Sequence, residues 1–129
     1  MKVRVHSLLR CAMLIALGAA VSSAHAKQVV FRNELLQCVT IETTGIWTES
    51  NLVLANTLIQ IRKPIGECGC LSALAAYASS VDREKTRQTL QEGVIGLKSG
   101  GEKTLVLATE PALVADKKIT VRLSCAGPL

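Results

Sequence analysis

The chain has 129 residues, a formal charge of +5 and three aromatic side chains besides histidine, which bounds it to one domain with a modest, mainly aliphatic core. The positive charge is no nucleic-acid footprint. Three of the 15 basic residues and none of the 10 acidic ones fall before position 27, leaving 12 against 10, a net +2, for the rest. The adjacent pairs Arg62-Lys63 and Lys117-Lys118 read as solvated strand ends rather than phosphate-binding tracks.

Residues 1–26 read as a cleaved signal peptide. Lys2, Arg4 and Arg10 form a basic start, Cys11 to Val21 an apolar core too short to span a bilayer, and Ala24-His25-Ala26 a small-residue cleavage site. This reading places the mature chain, residues 27–129, in the periplasm as a single domain, with no membrane insertion once the leader is removed. Both histidines (His6, His25) and both methionines (Met1, Met13) leave with the leader. Without imidazole there is no ordinary Ser-His or Cys-His nucleophile and no histidine-held zinc or copper, so no catalytic residue, metal or cofactor is expected. Glu42, Glu49, Glu92 and Glu110 form no carboxylate motif.

In chain order, strand-like segments run over Gln28–Arg32, Leu36–Thr43, Leu52–Arg62, Cys68 to about Val81, Thr89–Leu97, Lys103–Ala108 and Ile119–Cys125. The last is clearest: Ile119, Val121, Leu123 and Cys125 share one face and Thr120, Arg122 and Ser124 the other. Leu71–Val81 and Thr89–Leu97 also suit a helix, and both are read as strands. Turn chemistry at Thr44-Gly45, Pro64-Ile65-Gly66, Ser99-Gly100-Gly101 and Glu110-Pro111 separates the segments. Seven short strands at this spacing predict an all-β, immunoglobulin-like antiparallel sandwich.

Four cysteines follow the leader: Cys38, Cys68, Cys70 and Cys125. Their even number in a small exported domain predicts disulfides, in any of three connectivities. Two of these tie Cys68 and Cys70 separately to Cys38 and Cys125 as structural staples. The third joins Cys68 to Cys70 across Gly69 and would make the CGC pair redox-active. Strand parity places Cys125 inward and sets Cys38 at a strand end or bulge, within reach of a neighbouring loop. The structural use is preferred, because a core short of aromatics needs cross-links and exported domains commonly carry them, and Glu67 beside the pair opposes thiolate formation.

A leader, an all-β domain, Cys68-Gly69-Cys70 entering a mid-chain strand and the later strand Lys103-Thr104-Leu105-Val106-Leu107 together resemble the periplasmic curli-assembly inhibitors. That resemblance implies an immunoglobulin-like fold and a role in holding back amyloid subunits; the pair Cys38 and Cys125 departs from it. The chain also resembles an uncharacterised family of small bacterial periplasmic proteins. The expected function is therefore non-enzymatic binding of another envelope or secreted protein, as an assembly inhibitor, chaperone-like factor or inhibitor/immunity protein. The alternative is thiol-disulfide exchange at Cys68 and Cys70. Trp47, a large aromatic among polar residues in a predicted turn, is either the partner anchor or a plug closing the core.

Overall fold

The computed structural model describes residues 28–128; the leader assigned to residues 1–26 lies outside them. Seven strands are present among the described residues: β1 (Val29–Asn33), β2 (Val39–Glu49), β3 (Leu52–Ile61), β4 (Leu74–Arg83), β5 (Thr86–Gly96), β6 (Gly101–Ala108) and β7 (Ile119–Cys125). Two short 3-10 turns, Ile65–Cys68 and Pro111–Val114, complete the elements. The strands form a four-stranded sheet, β1-β7-β4-β5, and a three-stranded sheet, β2-β3-β6. The expected seven-stranded, disulfide-stapled sandwich is what the chain forms. Its connectivity is its own: an immunoglobulin constant domain groups strands one, two, five and four against three, six and seven, and here β1 runs parallel to β7.

The hairpins β2–β3 and β4–β5 stay within their sheets, whereas each other connection crosses between them. Both hairpins use two-residue loops. Ser50 and Asn51 take φ of 48° and 64°, the pattern of a type I′ turn, while Glu84 alone is positive in the other loop, at 54°.

The core is aliphatic, as the composition requires. Ala75 and Val81 of β4 and Ile119, Val121 and Leu123 of β7 are buried in one cluster with Val53, Ala55 and Ile59 of β3 and Leu105, Leu107 and Ala108 of β6. Leu71–Val81 forms no helix: Ala75, Tyr77, Ser79 and Val81 alternate inward, and the strand begins only at Leu74. Three buried hydroxyls find main-chain partners, which offsets the cost of taking them out of water. Thr57 donates to the Lys103 carbonyl at 2.7 Å, Tyr77 to that of Val106 at 3.1 Å, and Ser79 to that of Leu107. The last two cross from one sheet to the other and pin β4 to the edge strand β6. The ring of Tyr77 lies over Gly93 on β5, where an added Cβ would collide with the ring.

Two breaks in the sequence reading need correction. Thr44-Gly45 is not a turn but a bulge inside β2: Thr43 pairs with Thr57 and Gly45 with Asn56, so Thr44 is the extra residue. The strand therefore runs on to Glu49 and carries Trp47 with it. At its other end β2 starts at Val39 rather than Leu36, because residues 34–38 form the turn that crosses between the sheets.

Candidate binding surface

The cysteines define one end of the molecule. Cys38 bonds Cys68, with Cα atoms 6.3 Å apart, and Cys70 bonds Cys125, with Cα atoms 5.1 Å apart. Cys68 and Cys70 are thus not joined to each other. Gly69, at φ 93°, adopts the left-handed conformation that glycine reaches without steric cost, and it turns the chain so that its two neighbours diverge to different partners. Cys38 sits just before β2, at a strand end against the neighbouring loop, as parity required, and is fully buried. Cys125 closes β7 and is half-buried, beside Ala75 near the start of β4.

Trp47 lies toward the other end, eight residues along β2 from Val39 and roughly 26 Å away at strand rise. It is 39% exposed and belongs to no part of the core, so the plug reading is set aside. Its indole Nε1 lies 3.4 Å from Glu49 Oε2 and donates to it. Residues 43–48 and Val29 line a cleft of about 450 Å³ where the beginning of β1 passes the edge strand β2.

The register of β2, β3 and β6 places further residues beside Trp47. Thr57, Ile59 and Ala55 point into the core, so Leu54, Asn56 and Leu58 point outward, and their cross-strand partners do the same. One rung of the outer face is therefore Trp47–Leu54–Val106 and another Glu42–Leu58–Glu102, with Leu52 and Glu49 paired at the hairpin end. Leu52, Leu54, Leu58 and Val106 are half-buried, and the three glutamates are exposed. A second, smaller hollow of about 120 Å³ opens among Thr40, Ile41, Glu42, Leu58 and Gln60. Sequence reading found Trp47 but not this face. The carboxylates are scattered over 60 positions and converge only once the strand register is known.

Among the described residues, no group of three or more potential metal ligands comes together and no helix is long and apolar enough to cross a membrane. The phenol of Tyr77 is pushed up from 10.0 by burial, against a smaller opposing effect of its hydrogen bond to Val106.

Neither the curated proteins nor the solved structures contain a match to this chain. A family model does match, over residues 12–128, and the chain accordingly belongs to the family described as uncharacterized protein conserved in bacteria (DUF2195).

Proposed function

We propose that this is a non-enzymatic binding protein of the bacterial periplasm that holds another exported or envelope protein against the Trp47 end of the sandwich. The observation that carries this reading is the position of its sole tryptophan. A side chain able to bury about 200 Å² is left on the surface, at the margin of a cleft, in a chain whose core is short of aromatics. Folding alone would favour placing it inside. Tryptophan at a surface of this kind is the typical anchor of a protein interface.

Two disulfides support the compartment, since such bonds persist where the surroundings are oxidising. The pairing of Cys68 and Cys70 with separate partners favours their use as staples over exchange chemistry. An inhibitory or chaperone-like role, as the likeness to curli-assembly inhibitors implies, is one form this binding would take.

Affinity capture from the native envelope tests the reading. Trp47→Ala is expected to weaken capture of the partner at least tenfold while leaving the unfolding free energy within about 1 kcal/mol of the parent, because the side chain is exposed. Val94→Ala, on the outer face of the other sheet, is expected to change nothing. Equal capture by the Trp47 variant would overturn the assignment.

A further inference from the structure

The outer face of the three-stranded sheet carries more chemical information than a single anchor. Its apolar side chains, Trp47, Leu52, Leu54 and Val106 on one side of the polar rung Gly45–Asn56–Thr104 and Leu58 on the other, are bordered by Glu42, Glu49 and Glu102. Within these three strands no lysine or arginine shares the face. Lys103 pairs with the core-facing Thr57 and so lies on the opposite side.

We propose that this face is a docking site for a basic amphipathic helix of a partner protein, a proposal that rests on the binding reading above and names its partner class. Charge complementarity selects the sign. A partner with lysine or arginine flanking an apolar stripe gains attraction from all three carboxylates, whereas an acidic partner meets like charge. Anionic lipid surfaces are repelled for the same reason.

Backbone hydrogen bonding selects the shape. β3 is paired on both sides, so the middle of the face offers side chains and no free main-chain groups. A segment laid across it must already satisfy its own backbone, as a helix does. The dimensions agree: Leu52 to Leu58 spans roughly 20 Å at strand rise and the three strands are about 10 Å across. Those are the length of about 13 helical residues and the width of one helix.

Two subsites follow. The Trp47–Leu54–Val106 rung receives an apolar side chain. The 120 Å³ hollow holds Leu58 at one wall and Glu42 at another, with Thr40 and Gln60 beside them. It suits a lysine or arginine whose methylene stem lies on Leu58 while its head reaches Glu42.

The test titrates the mature protein with a synthetic amphipathic helix of leucine and lysine, about 14 residues long, and with the same peptide carrying glutamate for lysine. The single tryptophan reports binding by fluorescence. The lysine peptide is expected to bind with an affinity that falls as salt rises, and the glutamate peptide not to bind. Glu42→Gln with Glu102→Gln should weaken binding about tenfold and flatten the salt dependence. Leu54→Asp should abolish it, with the unfolding midpoint checked for each variant. Equal binding of the two peptides, no binding of the lysine peptide, or indifference to the double glutamine variant would overturn the proposal. Envelope capture separates the two claims. Capture that needs Trp47 but ignores Glu42 and Glu102 retains the binding function and rejects the basic helix, whereas capture indifferent to Trp47 rejects both.

Discussion

At the scale of single residues, Tyr77 shows how a core with few aromatics uses the one it buries. Its ring fills the space left by Gly93 on the neighbouring strand, and its hydroxyl reaches the Val106 carbonyl in the opposite sheet. Gly93→Ala is expected to destabilise the fold by about 1–3 kcal/mol, since the added methyl must displace the ring, and Tyr77→Phe by about 1 kcal/mol through the lost hydrogen bond. Chemical denaturation reads both. The phenol also makes stability pH-dependent. Its folded value lies above 10.0, so the unfolded chain loses the proton first. Stability from this group is complete below pH 10 and declines as the pH rises through the window between 10 and the raised folded value. Tyr77→Phe should remove that component, and a wild-type tyrosinate titration at its ordinary pH in the folded state would contradict it.

At the scale of elements, the bulge in β2 shapes the surface. By admitting Thr44 as an extra residue it shifts the alternation, so that Ile41 and Thr43 face inward before it and Ile46 after it. Trp47 is thereby turned outward beside Leu54. The phase change is visible in the spacing of the apolar residues, yet a glycine within a strand pattern is equally the mark of a turn. Only pairing to β3 decides between them. A similar ambiguity moved the start of β4. Leu71 is 86% exposed, and the Ser72 hydroxyl accepts from the Leu74 amide at 3.3 Å, so a local turn replaces the first residues of the expected strand. The alternation of Ile119–Cys125 left no such choice, and that strand agrees to the residue. The hairpin loop at Glu84 retains a residue poorly suited to its positive φ. Glu84→Gly should raise stability by about 1 kcal/mol, read as a higher denaturation midpoint.

At the scale of the whole molecule, the two staples gather at one end, away from Trp47. Cys38–Cys68 joins the β1–β2 crossing to the β3–β4 crossing, and Cys70–Cys125 joins the latter to the end of β7. Parity foresaw the setting of Cys38, but no local spacing could name its partner. Cys125 reaches Cys70 because β7 lies beside β4, a contact between segments 50 residues apart that exists only in the fold. With separations of 30 and 55 residues, loop entropy assigns about 4 kcal/mol to each bond. Replacing one pair by serine should cost that much, and replacing both about 8 kcal/mol, a large share of the typical stability of about 5–15 kcal/mol. Circular dichroism of the two paired variants and the quadruple variant measures this.

The most direct measurement places a photocrosslinking amino acid at Thr48, exposed beside Trp47 in the same cleft, and, separately, at Val94 on the far sheet, in cells expressing the full chain. Binding at the Trp47 end predicts a discrete protein adduct from position 48, lost on Trp47→Ala, and none from position 94. Adducts from position 94 alone, or from neither position, would contradict it.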